Sequence, residues 1–164
     1  MTRKQNAMEP IIGLVLLDLA TVDAYGIALE ACTTKEIRDQ LESFRGDHER
    51  HVRELSEWVR SQGGEPPTQI DPSGEIIRGY TDLASEEERS AILVMQGNEE
   101  LTNQAYASAL RAKVPEDVRA IVVRNFEDER RHAAWLRGAI KLRGWDHEAP
   151  ELRELAEQVL PKAA

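Results

Sequence analysis

Displaced by 81 residues, this chain falls on itself without a gap: Thr21 meets Thr102, Ala24 meets Ala105, Tyr25 meets Tyr106, Ala28 meets Ala109 and Leu29 meets Leu110. The same offset continues past a turn into a second segment. There Ile37 meets Val118, Arg38 meets Arg119, Asp47 meets Asp128, Arg50 meets Arg131, His51 meets His132, Leu55 meets Leu136 and Gly63 meets Gly144. Chance similarity between helices would not hold one offset across two segments and the turn between them. The chain therefore reads as a duplicated helix pair, about 8–62 and 86–143.

Each of the four segments carries an apolar stripe at three-and-four spacing, the signature of one buried helix face. In order they are Ile11, Val15, Asp18, Val22, Tyr25 and Leu29; Ile37, Leu41, Phe44, His48, His51, Leu55 and Val59; Ile92, Met95, Glu99, Thr102, Tyr106 and Leu110; and Val118, Val122, Asn125, Glu129, His132, Leu136 and Ile140. The first helix spans about Met8 to Ala31. Leu14, Leu16, Leu17 and Leu19 widen its apolar surface, so the crossover, the C-terminal segment or another subunit is expected to cover a second side.

Thr33-Thr34-Lys35-Glu36 reads as a capping box that turns the second helix back antiparallel, and Gly63-Gly64-Glu65-Pro66-Pro67 stops that helix near Gln62. Ser85-Glu86-Glu87-Glu88 reads as a second box, opening a third helix that runs to about Lys113. Pro115 is placed at the first position of the fourth helix, which Gly144 ends. The connection over 63–85 is too long for a hairpin. At a maximum of ~3.3 Å per residue it can run the length of a helix and join parallel neighbours. Ile76, Ile77, Tyr80 and Leu83 are expected to anchor it along the bundle, and Pro150 to Leu160 suggests one short amphipathic helix within a C-terminal segment over 145–164. The expected fold is all-α: one domain over 1–164, a four-helix bundle with one long crossover between helices two and three and a short C-terminal helix.

Charged residues make up 31% of the chain, mixed in sign, with a net charge of -9. No basic stripe is available for phosphates, so neither nucleic acid nor an acidic membrane is expected as a partner. Cys32 is the only cysteine, which excludes a disulfide framework and a cysteine-only metal module and makes a reducing cytoplasm the default. Ile11 to Ala20 is apolar but short and carries Asp18, so no membrane span is expected there.

The informative residues are those that break the apolar stripes. Asp18, His48, His51, Glu99, Glu129 and His132 sit near the middle of four inward faces, and the offset pairs Asp18 with Glu99 and His48 with Glu129. Buried carboxylates and imidazoles require compensation by ions or by one another, and a metal is the economical answer. Carboxylate oxygens and imidazoles suit iron, manganese or zinc, and the lack of thiolates disfavours the softest ions.

A carboxylate on helices one and three, Glu129-Arg130-Arg131-His132 on helix four, a copy of that motif ending at His51 on helix two and one long crossover resemble the ferritin-like superfamily. The likeness is to its rubrerythrin and bacterioferritin branches, and to small bacterial four-helix-bundle proteins of unknown role. The resemblance implies that Asp47 orients His132 and that Asp128 orients His51. It also implies that Tyr25 and Tyr106, each seven residues after Asp18 or Glu99, hydrogen-bond the ligands. By the same likeness the protein would bind one or two iron ions, with manganese or zinc as alternatives. Glu129 would bridge, His51 and His132 would be terminal ligands, and the reaction would be ferroxidase or oxidase chemistry with oxygen or peroxide.

Two residues depart from the family pattern: His48 replaces the helix-two Glu that would bridge two irons, and Asp18 is shorter than the usual Glu. A single ion and a His-rich pair are both compatible with that set. The rubredoxin-type module of rubrerythrins is missing, so a complete rubrerythrin peroxidase is not expected. The rival expectation is a structural or stress-related interaction protein without turnover, including a zinc-stabilised form. The breadth of the first helix points to a homo-oligomer, a dimer in the simplest case.

Overall fold

The computed structural model describes residues 3–147, with side chains from Met8 onward. It contains α1 (Arg3–Ala31), α2 (Lys35–Ser61), α3 (Pro72–Ala84), α4 (Glu88–Arg111) and α5 (Glu116–Leu142), and no strand among the described residues. The protein is an all-α bundle in which α1, α2, α4 and α5 are the four expected long helices and α3 lies within the crossover. The short helix expected over Pro150–Leu160 lies outside the described residues.

Hydrogen bonds between the ends of the helices fix their directions. Glu88, in the first turn of α4, accepts the backbone N–H groups of Thr33 and Thr34 at 2.8 and 2.7 Å, so α2 and α4 begin at the same end. Gln62, just past the end of α2, donates to Asp117 at the start of α5 at 3.2 Å, so α5 begins at the other end. The crossover therefore joins parallel helices, as its length allowed.

These contacts also revise the expected caps. Thr34 is the N-cap of α2, but its side chain makes no capping bond to the helix; its hydroxyl donates to Glu88 at 2.6 Å instead. A carboxylate from a neighbouring helix thus satisfies N–H groups in the turn that a local box would have left to Glu36, and it ties the two halves of the bundle together. The α4 cap lies two residues beyond Ser85, at Glu87, whose N–H donates to Ser90 Oγ at 3.2 Å. Pro115 is the N-cap of α5 rather than its first helical residue.

The crossover differs most from expectation. Asp71 Oδ1 accepts the Gly74 N–H at 2.9 Å and Pro72 fills the first turn, so the segment starts a helix with an ordinary cap. That helix packs on α1 and α4, but Ile76, Tyr80 and Leu83 are exposed. The buried contacts are Gly74 and Thr81. Thr81 Oγ1 accepts from Asn98 of α4 at 3.0 Å. The small residue Gly74 permits this docking: a Cβ there would stand 2.9 Å from Ile70 Cβ and 3.2 Å from Ala20 Cβ. Neither atom is the free end of a flexible chain, so Gly74→Val should lower stability by about 1–3 kcal/mol. Urea unfolding of the variant measures this, and an unchanged midpoint would show that α3 docks by other contacts.

With α3 laid along it, α1 has a second covered side. Its Met8–Ala31 stretch is long and apolar enough to cross a membrane, and half of its most apolar part is buried in the bundle. Leu14 is buried, whereas Leu16, Leu17 and Leu19 are only partly covered.

Inside, the stripes form two apolar clusters. One contains Tyr25, Leu29, Ile37, Leu41, Phe44, Ile92, Met95, Leu136 and Ile140. The other contains Ile11, Leu14, Val15, Leu55, Val59, Tyr106, Val118 and Val122. Each fully buried large apolar side chain contributes roughly 1.5–3 kcal/mol, which supports a bundle whose middle layer is polar.

Candidate metal centre

That layer holds Asp18 of α1, His48 and His51 of α2, Glu99 of α4, and Glu129 and His132 of α5, all with no solvent exposure. The six residues singled out from the stripes are thus brought together in one place. Their arrangement follows the repeat. Tyr25 of α1 donates to Glu99 of α4, and Tyr106 of α4 donates to Asp18 of α1 at 2.7 Å. Each tyrosine serves the carboxylate of the opposite helix pair, not the one two turns earlier on its own helix.

The histidines behave likewise. His132 Nε2 lies 3.0 Å from Asp47 Oδ2, and His51 Nε2 lies 3.3 Å from Asp128 Oδ2. Asp47 and Asp128 are held by two arginines in a closed ring: Arg50 binds both aspartates, and Arg131 binds both at 2.8 and 2.7 Å. Burial would raise their pKa values, but the imidazoles and arginines hold both carboxyls below the usual range. With an ionised carboxylate at Nε2, each of these rings carries a proton there and turns Nδ1 inward.

Among the described residues, nothing completes the inward side. His51 Nδ1, His132 Nδ1 and both oxygens of Glu129 are buried without a hydrogen-bond partner. His51 Nδ1 and Glu129 Oε1 approach to 3.1 Å but are misaligned for a hydrogen bond. Burial raises the Glu129 pKa, with Glu99 adding to it and His48 opposing it. Orphaned donors and acceptors of this kind cost about 1–3 kcal/mol each.

A cation at this layer would satisfy them. Two groups of donors can each converge on one ion, Asp18–His48–His51–Glu129 and His48–Glu99–Glu129–His132, with the ligand atoms of each within 4.8 Å of one another. Close approaches in the layer run from 2.8 Å for His48 to Asp18 to 3.7 Å for His132 to Glu99. Donors around a four-coordinate ion with bonds of ~2.0–2.1 Å stand about 3.3 Å apart, so the residues fit a small divalent ion.

Without an ion, His48 is the central link. Its Nδ1 lies 2.8 Å from Asp18 Oδ1 and its Nε2 3.1 Å from Glu99 Oε1. Burial opposes its charge, but the carboxylates of Glu129 and Glu99 outweigh it and hold its pKa well above the ordinary value. The ring is then an imidazolium donating to both sides.

The family described as a domain of unknown function, DUF2383, matches residues 14–112, more than half of the chain. The chain belongs to the DUF2383 family. The matched stretch includes Asp18, His48, His51 and Glu99 and stops before α5, which supplies Glu129 and His132. No curated protein and no solved structure matches the chain.

In this DUF2383 protein the inward stripes of α2 and α5 differ in chemical type at two positions. The first is His48 against Glu129. The second is Phe44 against Asn125, one turn away. Phe44 stacks on His132 with ring centroids 4.2 Å apart, whereas Asn125 is fully buried with neither side-chain atom partnered among the described residues. Asn125 lies in the α5 stripe, and the sequence reading assigned it no role. Its signal was a polar amide standing where the repeat has an aromatic ring. Asn125→Leu removes an orphaned donor and acceptor at similar volume, so it should stabilise the metal-free protein by about 1–2 kcal/mol. Thermal unfolding checks this, and a lower melting temperature would mean that the amide is satisfied within the protein.

Proposed function

We propose that this DUF2383 protein is a ferritin-like metal protein that binds iron in the polar layer and carries out ferroxidase or oxidase chemistry with oxygen or peroxide. The observation that carries this reading is the inward Nδ1 of His51 and of His132, and both oxygens of Glu129, buried with no partner while the outward nitrogens are held by Asp128 and Asp47. A set that is ordered from behind and unsatisfied in front fits a cation better than it fits a closed polar core.

His51, His132 and Glu129 would hold the ion, with Asp18 and Glu99 as the flanking carboxylates. Iron bound there would supply electrons to oxygen or peroxide. The chain's own residues do the rest. Tyr25 and Tyr106 fix the carboxylates of Glu99 and Asp18 by hydrogen bonds, and their hydroxyls keep their protons because burial and the neighbouring carboxylates push both pKa values well above 10. The apolar clusters on either side exclude bulk water and strengthen every charge interaction between them.

The test is elemental analysis of untagged protein prepared without chelators and incubated anaerobically with iron(II), followed by absorbance when air is admitted. Stoichiometric iron and a new near-ultraviolet band are expected. Bound iron that stays spectroscopically unchanged in air and peroxide would remove the redox part of the reading.

The second reading is a structural bundle without turnover. His48 favours it, because a protonated ring between Asp18 and Glu99 already neutralises part of the layer. A melting temperature raised by zinc but not by iron(II), together with no absorbance change when air is admitted, would select that reading.

A further inference from the structure

We propose that His48 is a bridging ligand in this centre, with Nδ1 on an ion held by Asp18 and His51 and Nε2 on a second ion held by Glu99 and His132. The inference rests on the metal-centre reading above and concerns what the helix-two departure does there.

The geometry points to it in three ways. Both donor groups that can converge on an ion contain His48 and Glu129 and share no other residue. The two ring nitrogens of His48 face different groups, Nδ1 at 2.8 Å from Asp18 and Nε2 at 3.1 Å from Glu99. The ring is also equidistant from the other two imidazoles, with centroids 5.3 Å from both His51 and His132. Its counterpart in the repeat is Glu129, so the two shared donors come from equivalent places on α2 and α5.

Bridging two ions requires a side chain with two donor atoms directed to two places. A carboxylate meets that requirement with its oxygens, and an imidazole meets it with its nitrogens. Leu, Gln or Lys at position 48 would not. Ligation at both nitrogens displaces the two protons that His48 now donates to Asp18 and Glu99, releases them to solvent and leaves an imidazolate. That ring, with the carboxylates of Asp18, Glu99 and Glu129, gives four negative charges against two divalent ions. A closed, water-excluded layer is then neutral, as burial demands. A single ion with His48 still protonated is neutral as well, and it is the competing arrangement.

Copper(II) separates the two, because cupric ions joined by an imidazolate couple antiferromagnetically and lose their electron paramagnetic resonance signal. Wild-type protein titrated with copper(II) should take up two ions per chain with a spin count far below its copper content. His48→Glu keeps a bridging side chain at the same place and should hold two ions, whereas His48→Ala should restore the signal per bound ion. The Glu129→Ala/His132→Ala variant gives the background from surface copper. One ion per chain in the wild type, two ions with a full uncoupled signal, or coupling that survives His48→Ala would each overturn the bridge while leaving the metal centre intact. No copper above background, together with no uptake of iron(II) or zinc, would overturn both.

Discussion

The double variant Glu129→Ala/His132→Ala should lose all metal-dependent stabilisation. In the wild type, an ion present at a hundredfold excess over its dissociation constant adds about 2.7 kcal/mol. For a chain of this size that raises the melting temperature by roughly 5–10 °C, and a chelator should return it to the starting value. The variant removes two unpartnered oxygens and one unpartnered nitrogen from a layer with no water contact. What remains is Asp18, His48, His51 and Glu99, with His48 already bonded to both carboxylates. The metal-free variant should therefore keep its fold, because part of the cavity cost is offset by the loss of orphaned polar atoms. Thermal unfolding with and without iron(II), manganese(II) or zinc tests both statements. A metal-induced rise that survives in the variant would move the site elsewhere.

Much of this centre is legible from residue types and spacing because two periodicities coincide. The three-and-four stripes assign Asp18, His48, His51, Glu99, Glu129 and His132 to inward faces, and the 81-residue offset places them at one level. The structure brings all six to that level with no solvent exposure. Less legible were features set by contacts between helices that are distant in sequence. Glu88 satisfies N–H groups of the α1–α2 turn across 55 residues, which no local capping pattern around Thr34 could reveal. The tyrosines cross between helix pairs for the same reason. The helix in the crossover was a different kind of miss. Asp71-Pro72 is a readable start signal, but Gly74 and Gly79 are poor helix formers, and Gly74 is the contact that lets α3 approach α1. Ile76, Tyr80 and Leu83 were read as anchors from their hydrophobicity alone, whereas the face that packs is defined by Gly74 and Thr81.

Metal-free protein should be most stable in mildly acidic solution and lose stability as the pH rises toward 9, the reverse of what its metal-bound form should do. Burial would lower the His51 pKa, but the Asp18 and Glu129 carboxylates, 3.5 and 3.1 Å from Nδ1, raise it to about 9. His48 is raised too, against its burial, by Glu129 and Glu99. A histidine that binds its proton more tightly when folded contributes fully below its unfolded pKa of about 6.5, and the contribution fades as the pH climbs through the folded value. For His51 alone the amount at stake is about 3 kcal/mol. On the acid side, burial is outweighed by the histidines at Asp18 and Glu99, whose pKa values are lowered. Their contribution is present above about pH 4 and lost as the pH falls through those lowered values. The metal-free optimum therefore lies between about pH 4.5 and 6.5. An ion at His51 Nδ1 competes with the proton held there, so metal affinity must increase over the same interval in which metal-free stability declines. Melting temperatures measured with chelator and with zinc at several values between pH 5.5 and 9 should diverge as the pH rises. A metal-free melting temperature that climbs across that interval would mean that His51 and His48 are neutral in the folded layer.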